Sequence, residues 1–562
     1  MKEKNIFLML PFWDTLIPPT GISVLKSFLK QYGYDIRIVD ANIDVKLKEY
    51  ISLYFELLKK IIPKQKRGNF LNIGYDVLKN HMMAFINRKD EARYKNLIRK
   101  LIWRTYFTKL NDLQINEIDD YIKEYFEYFE KYIIDLIETE KPTTIGFSVY
   151  NDTFPSSLFA ARIIKKRFSY ITTLIGGSIF SDLTLNSPNF KFFLKKTEDI
   201  FDKIFIGESE LLLLKYFRNE FLESKRVFTI KDLDGEVFPI SDVKSPDFSD
   251  LDLSFYMLDS YEGSRSCYMQ CEFCSETVYK GKYRTKNIKH VLDDLKEMYK
   301  THKNQLFLMC DSLLNPIITE LSVEIAKENT PVYFDGYLRV DKNGSYLENS
   351  FLWRKGGFYR ARIGVESGSQ KVLDLMNKKI KIDEIISAIS SLAEAGVKTT
   401  TYWICGYPGE TEEDFQMTLD LLERLSEDIY EADCCPFIYS YTGQSGSDSF
   451  IKNGKIGEVY DNYEKEMLLG QSYFLDTEPN REEIYSRVNR FIEHCKKLNI
   501  PNPYSLNEII DADKRWKELH INAVPSYIDF EKENSVVKEC RNKQIINKAS
   551  NLFDTDWDFN LV

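Results

Sequence analysis

Three cysteines in one short segment are the residues of this chain best suited to chemistry. Cys267, Cys271 and Cys274 lie four and then three residues apart, and the other six cysteines form no close group of three. Thiolates are soft ligands that suit zinc or iron–sulfur clusters. A structural zinc site needs four ligands, and the nearest further candidates, His290 and Cys310, lie outside zinc-ribbon spacing. Three thiolates on one loop suit a [4Fe-4S] cluster with one open iron; three unrelated thiols are the alternative.

The cysteine spacing, with Phe273 directly before the last cysteine, resembles the signature of the radical S-adenosylmethionine (SAM) enzymes. In that family the open iron binds the amino and carboxylate groups of SAM, and reductive cleavage yields methionine and a 5′-deoxyadenosyl radical. The resemblance therefore implies a cluster bound by Cys267, Cys271 and Cys274, with SAM as a second cofactor. It also implies an external electron donor such as flavodoxin or ferredoxin.

Length and charge limit the possible functions. A chain of 562 residues is too long for one ordinary core, so we expect about two to four domains. The net charge of −10 argues against nucleic-acid binding. No run of about 18 apolar residues occurs, so we expect no membrane span. The N-terminus does not resemble a signal peptide, and unpaired cysteines fit a reducing cytoplasm.

The first 220 residues have the pattern of a doubly wound α/β domain. Short apolar strands alternate with helices, as in a parallel sheet. Glycines follow two of these strands and allow the backbone to approach a ligand at the carboxyl edge. The predicted strands are residues 5–10, 35–40, 144–149, 172–178 and 203–206, and a helix is expected at 22–32.

Residues 45–139 interrupt this pattern with apolar residues at helical spacing. A segment of this length is not a loop, so we expect a helical insertion. Its first part is basic, which fits either a solvated helix face or contact with an acidic partner or substrate segment. The basic residues are Lys59, Lys60, Lys64, Lys66, Arg67, Arg99, Lys100 and Arg104.

Around the insertion, residues 1–44 and 140–220 resemble the cobalamin-binding domain of cobalamin-dependent radical SAM enzymes. The resemblance rests on the "Ile-Gly-Phe-Ser", "Ile-Gly-Gly-Ser" and "Gly-Glu-Ser-Glu" segments in this order. Many cobalamin domains carry a histidine that binds cobalt, but the matching loop, Tyr150–Pro155, has none. The resemblance thus implies either cobalamin without a histidine ligand from this sheet, or a domain that has lost cobalamin. The implied cobalamin contacts are Tyr150, Asn151, Gly176, Gly177, Gly207 and Glu208.

After a linker at 221–257, residues 258–450 repeat a strand–loop–helix pattern. Six such units predict a partial (β/α)6 TIM-like barrel, whose site lies at the carboxyl ends of the strands. The strands named from the sequence are residues 305–311, 331–339, 360–368, 397–405 and 434–441. Residues 451–562 are predicted to be mostly helical, with helices at 482–499 and 535–551.

Several strand ends of this barrel resemble SAM-binding segments of the radical SAM family. By resemblance, Glu366 accepts the ribose hydroxyls, Ser367 binds the methionyl end, and the backbone at Gly406 packs on adenine. Arg339 ends a strand, where its charge suits the SAM carboxylate.

The strand that ends near residue 310 departs from the family. The usual Gly-Gly-Glu stretch, which binds the SAM amino group, is replaced by Met-Cys-Asp311-Ser312. We expect Asp311 or Ser312 to take over that contact, as in the cobalamin-dependent branch.

Three hypotheses for function remain. The first is a cobalamin-dependent radical SAM methyltransferase that acts on an unactivated carbon of a peptide or small molecule. The second is a non-methylating radical enzyme, such as an epimerase, cyclase or crosslinker, with a cobalamin-free Rossmann-like domain. The third is a non-enzymatic iron–sulfur protein, which the SAM-like strand ends disfavour.

Overall fold

Two six-stranded parallel sheets form the protein. The computed structural model describes residues 4–11, 16–502 and 506–524; the expected helix at 535–551 and Cys540 lie outside them. Both sheets are covered by helices, so the predicted α/β class is confirmed. Among the described residues, no helix combines the length and the apolar character that a membrane span requires.

The first sheet is Rossmann-like, with strand order β2-β1-β3-β4-β5-β6. Strand β1 is paired on both sides, since Asn5 lies opposite Ile36 and also opposite Thr144. The last strand lies within the predicted linker, so the sheet extends beyond residue 220. The strands are β1 Asn5–Met9, β2 Ile36–Asp40, β3 Thr144–Ser148, β4 Thr172–Gly176, β5 Lys203–Ile206 and β6 Val227–Thr229.

Helices connect these strands, and four of them form the insertion between β2 and β3. The insertion shares one apolar core with the sheet. Helix α1 is Thr20–Lys30; the insertion has α2 Val45–Ile61, α3 Phe70–Asn87, α4 Glu91–Tyr106 and α5 Asp112–Glu140. The later helices are α6 Phe154–Arg167, α7 Ile179–Asp182, α8 Pro188–Lys196 and α9 Glu210–Phe217.

Part of the basic run in the insertion caps helix ends. The Arg67 guanidinium donates to the carbonyl oxygens of Ile62 (3.1 Å) and Lys59 (2.6 Å) at the end of α2. Lys66 Nζ donates to the carbonyl oxygen of Phe107, at the end of α4. These carbonyls lack partners within their helices, and a cation is favourable there. For Lys66 and Arg67, the basic character therefore serves local structure.

The second sheet is the predicted partial barrel, with its six strands adjacent in chain order. They are β7 Asp259–Tyr261, β10 Leu306–Met309, β11 Tyr333–Leu338, β12 Phe358–Glu366, β13 Lys398–Cys405 and β14 Glu431–Pro436. A short antiparallel pair, β8 Ser264–Arg265 and β9 Arg284–Thr285, follows the first strand. The outer helices are α10 Glu276–Lys280, α11 Ile288–His302, α12 Asn315–Glu328, α13 Leu347–Lys355, α14 Gln370–Leu375, α15 Ile382–Glu394 and α16 Glu412–Arg424.

The last barrel strand lies earlier in the chain than predicted. The sequence favoured residues 434–441, but β14 is Glu431–Pro436. Its first residue, Glu431, is fully buried inside the barrel, where it accepts from Thr400 and lies 3.7 Å from the Arg360 guanidinium. A charged residue at the start of a buried strand interrupts the apolar pattern from which strands are predicted, so the start of β14 was missed.

The described part of the C-terminal region, up to residue 524, is mostly helical, as predicted, with a small antiparallel strand pair that was not expected. Helix α19 packs its Phe491 ring 5.7 Å from Trp403 of β13. The elements are α17 Ser447–Asn453, β15 Ile456–Glu458, α18 Asn462–Lys465, β16 Tyr473–Leu475, α19 Arg481–Lys497 and α20 Leu506–Leu519.

Candidate functional site

Residues that follow strand ends of both sheets enclose one large cavity. Its volume is about 530 Å³, within the usual range for ligand pockets. From the Rossmann-like sheet it is lined by Tyr150, Gly176, Gly177, Gly207 and Glu208, and from the barrel side by Glu262, Arg265, Glu276, Lys280 and Cys310. Asn151, also expected here, lines a smaller neighbouring cavity instead. No histidine lines the larger cavity within the described part of the chain.

The three cysteines of the motif lie on the loop between β8 and α10. The barrel holds this loop from two sides through main-chain hydrogen bonds. The amides of Ser445 and Gly446 donate to the carbonyls of Cys274 (2.9 Å) and Glu272 (2.8 Å). The amide of Glu272 in turn donates to the carbonyl of Met376 at 3.0 Å. The loop conformation is thus fixed by segments that follow β12 and β14.

The three motif thiols do not converge on a single-ion site in the part of the chain that the structure describes. Within the described residues, no three His, Cys, Asp or Glu side chains converge closely enough to hold one ion. In a [4Fe-4S] cluster each thiolate binds a different iron, so the sulfur atoms lie farther apart. Burial raises the pKa of the Cys267 thiol, and raises that of Cys274 to about 11. Deprotonation at neutral pH would therefore depend on metal binding.

Arg339 lies directly beside this loop. Its Nη1 atom is 3.6 Å from Cys271 Sγ. Its Nη2 atom is buried and has no hydrogen-bond partner. A buried, unpaired guanidinium nitrogen costs free energy unless a ligand satisfies it. The position suits a carboxylate bound next to the cluster.

Glu366, at the end of β12, has a partner that the sequence did not reveal. Lys378 Nζ donates to its Oε1 at 2.5 Å, and both side chains are nearly buried. The same ammonium lies 5.5 Å from the centre of the Phe273 ring, in the cysteine loop. Glu366 has a φ of 68°, an unfavourable conformation that functional sites often retain. A Cβ at Gly364 would meet the Glu366 carboxylate and the Lys378 ammonium, so a larger residue there would displace this ion pair.

Two other residues that were expected to contact SAM, Ser367 and Gly406, are packed against other parts of the chain. The Ser367 hydroxyl accepts from the amide of Ser369 at 3.1 Å and is fully buried. A Cβ at Gly406 would collide with Ile484 of α19 rather than face open space. The amide of Gly406 donates to Glu410 Oε2 at 2.8 Å. The geometry of these two residues gives the expected ligand contacts no support.

Asp311 and Ser312 also have structural partners. Asp311 accepts from the amide of Gly263 (3.0 Å) and from the Ser264 hydroxyl, just before the cysteine loop. Full burial raises the pKa of Asp311 to about 7. Ser312 donates to Glu276 and accepts from Lys280 at the wall of the large cavity. Asp311 thus positions the cysteine loop. Its geometry gives no support to the expected contact with the amino group of SAM.

Arg265 forms a network of ion pairs that sequence reasoning missed. Its guanidinium lies 2.6 Å from Glu210, 2.8 Å from Glu262 and 3.5 Å from Glu208. Glu208 is also bound by both terminal nitrogens of Arg284. Glu208 and Glu210 follow β5 of the Rossmann-like sheet, whereas both arginines belong to the β8–β9 pair. The network therefore joins the two sheets at the cavity.

The family model of the radical SAM superfamily matches residues 261–422. This part of the chain is a radical SAM domain. The domain begins in β7, ends in α16 and contains the three cysteines, Arg339 and Glu366. The resemblance drawn from the cysteine spacing is thereby confirmed, and the domain implies a [4Fe-4S] cluster and SAM.

Solved structures share the fold of the radical SAM domain together with the Rossmann-like sheet. OxsB, a cobalamin-dependent SAM radical enzyme solved with aqua-cobalamin and SAM, aligns with a TM-score of 0.58 at 13% identity, over 98% of this chain and 79% of OxsB. The radical SAM methyltransferase TsrM of Kitasatospora setae, solved with cobalamin and a [4Fe-4S] cluster, aligns with a TM-score of 0.56 at 12% identity, over 96% of this chain and 99% of TsrM. At these identities the likeness shows the fold.

A curated relative is the anaerobic magnesium-protoporphyrin IX monomethyl ester cyclase of Rubrivivax gelatinosus. It is 27% identical over 201 residues, which are 35% of this chain and 35% of the cyclase. The match therefore spans about a third of that relative's length.

Proposed function

We propose that the protein is a cobalamin-dependent radical SAM enzyme that methylates an unactivated carbon of a peptide or small molecule. The observation that carries this proposal is the cavity of about 530 Å³ between the two sheets. It lies at the carboxyl edge of a Rossmann-like sheet, where this class of fold binds its ligands. Its opposite wall includes Glu276 and Lys280, which directly follow the cysteine loop.

The residues present fit the three cofactors. The unpaired Nη2 of Arg339 suits the SAM carboxylate. Lys378 holds one oxygen of Glu366, and the second oxygen would accept ribose hydroxyls. Gly21 lines the large cavity, and a Cβ built there would have no atom within 4 Å. Together the cluster, SAM and cobalamin would supply hydrogen abstraction and delivery of a methyl group.

The chain's own residues would orient these groups. Cys267, Cys271 and Cys274 would bind the cluster, and Asp311 would hold the strand that leads into their loop. Tyr150, on the loop after β3, would face the cavity from the Rossmann-like side without a histidine beside it. An external flavodoxin or ferredoxin would supply electrons. A cytoplasmic location, where thiols stay reduced, fits this chemistry.

Anaerobic reconstitution with iron, sulfide and hydroxocobalamin tests the proposal. We expect about four iron atoms and one cobalt atom per chain, which is the content of one cubane cluster and one corrin. With SAM and a reductant, the protein should form 5′-deoxyadenosine; with substrate, it should also form S-adenosylhomocysteine. Absence of cobalt binding at micromolar hydroxocobalamin would contradict the cobalamin assignment and leave the SAM cleavage intact.

Radical cyclisation without methyl transfer is a second candidate reaction. It is favoured by the curated relative named as an anaerobic cyclase. The two reactions differ in one product, because only methyl transfer from SAM forms S-adenosylhomocysteine. Turnover that yields 5′-deoxyadenosine with no S-adenosylhomocysteine would favour cyclisation.

A further inference from the structure

A second, smaller cavity lies next to the large one. Its volume is about 90 Å³, and it is open on one side. Asn151 and Ile179 line it, while their chain neighbours Tyr150 and Ser178 line the large cavity. The two cavities therefore share the loop after β3 and the start of α7 as a common wall.

Four parts of the chain meet at this smaller cavity. Helix α3 of the insertion contributes Lys79, and the Rossmann-like sheet contributes Asn151. The segment after β14 contributes Ile438 to Tyr441, and the C-terminal region contributes Tyr473 of β16. The insertion, which lies outside the resemblance drawn from the sequence, therefore contributes to the wall of this cavity.

The segment after β14 also connects this cavity to the cysteine loop. Gln444 Nε2 donates to the carbonyl oxygens of Phe273 (3.0 Å) and Ile438 (2.9 Å). The amide of Ser445 donates to the carbonyl of Cys274. A group bound against Ile438 would therefore contact the segment that fixes the cysteine loop.

Four aromatic side chains line the smaller cavity, together with apolar residues, uncharged polar residues and one lysine. The rings of Tyr441 and Tyr473 stack with centres 4.6 Å apart. Tyr439 is about nine-tenths buried, and its hydroxyl has no hydrogen-bond partner. Lys79, a cation in this wall, is neutralised by Asp76 and lies 3.9 Å from Asp152. Such a site favours an aromatic ring, which gains from stacked and edge contacts, and it offers the Tyr439 hydroxyl to a polar ring substituent.

We propose that this cavity binds an uncharged aromatic group of the substrate, with the Tyr439 hydroxyl bonded to a polar substituent on the ring. A phenol or similar ring suits the size of the opening, with part of it remaining at the mouth. The inference deepens the proposed function, since the bound group would belong to the substrate of that reaction. Binding of the ring itself needs only the folded chain and no cofactor.

Ligand-observed saturation-transfer NMR on the full-length protein tests this proposal without cofactors. The probes are N-acetyl-L-tyrosinamide and N-acetyl-L-phenylalaninamide at millimolar concentration. We expect saturation of the ring protons of both in the wild type. Ile438→Trp places an indole at the half-exposed mouth of the cavity and should abolish the signal. Ile521→Trp, at a position that is 98% exposed, is the matched control and should not change it.

Tyr439→Phe removes only the unpaired hydroxyl and gives a second measurement. We expect the affinity for N-acetyl-L-tyrosinamide to fall about tenfold, as for loss of one hydrogen bond, while that for the phenylalanine analogue stays within about twofold. No ring saturation in the wild type, or equal signals in the wild type and Ile438→Trp, would overturn the proposal. Because the assay uses cofactor-free protein, a failure of cobalamin or SAM binding would leave its result unaffected.

Discussion

Arg265 Nη2 lies 2.6 Å from Glu210 Oε1, and this ion pair connects the barrel to the Rossmann-like sheet. Both side chains are less than one-tenth exposed. Arg265 stands two residues before Cys267 in the chain. The ion pair that joins the two sheets therefore lies at the start of the cysteine loop. Relative movement of the two sheets would therefore disturb that loop.

Replacing Arg265 by Gln should strongly destabilise the protein. Three carboxylates, Glu208, Glu210 and Glu262, would lose their shared cation, and breaking a buried ion pair typically costs about 3–5 kcal/mol. The free energy of unfolding from urea titration measures the loss. Arg284→Gln is the control, because the side chain of Arg284 is 23% exposed and the effect should be smaller. Adding Glu210→Gln to the Arg265 variant should recover part of the loss; an unchanged or lower stability would contradict the account.

Each of the three motif cysteines should be required for the cluster. Replacing Cys267, Cys271 or Cys274 by Ala removes a thiolate ligand, so the reconstituted protein should lose most of its bound iron and sulfide. Iron and sulfide analysis and the visible absorption spectrum measure this. Cys495→Ala is the matched control, because this buried thiol lies in the apolar core behind β13. Full cluster content in a triple-Ala variant would refute the ligand assignment.

Arg339 and Glu366 should determine SAM affinity. A lost charge-assisted hydrogen bond costs about 1.5–3 kcal/mol, so Arg339→Gln and Glu366→Gln should each weaken SAM binding roughly tenfold to a hundredfold. Glutamine at 366 can still accept from Lys378, which limits damage to the fold. Equilibrium dialysis with the reconstituted protein gives the affinities. Lys371→Gln, which changes a side chain that is 54% exposed, should leave them unchanged; equal affinity in all variants would show that the site lies elsewhere.

The buried carboxyl of Asp311 should make stability fall as pH rises. Its pKa is about 7 in the folded protein and close to the ordinary aspartate value of 3.8 when unfolded. Between these values the folded state holds the proton and the unfolded state does not, so the free energy of unfolding declines as pH increases. Urea titrations from pH 5 to pH 8 measure the slope. Asp311→Asn should reduce it; the same slope in both proteins would show that other groups cause it.

The sequence predicted the parts of the fold and site that depend on short segments. Strand positions and the cysteine loop follow from local patterns, and Cys271 and Arg339 do lie together. Lys378 was missed because a lysine after a short helix has no distinguishing pattern. Its role appears only when the turn after α14 brings it to the end of β12.

Long-range packing explains why several expected ligand contacts find no support in the geometry and stay predictions. Gly406 was expected to make room for a ligand, but Ile484 of α19 fills the space beside it. Ser367 was expected to face SAM, but its hydroxyl bonds the turn that starts α14. Asn151 follows Tyr150 directly, yet the two residues line different cavities. The packing around Gly406 and Asn151 joins segments that are far apart in the chain, so no short sequence pattern predicts it.

The place of the insertion in the Rossmann-like sheet has a consequence for how such proteins diverge. Strand β1 pairs with β2 on one side and β3 on the other in continuous register, although four helices separate β2 from β3 in the chain. An insertion at this point therefore changes neither the strand order nor the register of the sheet, provided that its helices keep the apolar face that packs on the sheet. Since no described residue of the insertion lines the large cavity, selection can vary the outer helices while the walls of that cavity are inherited unchanged.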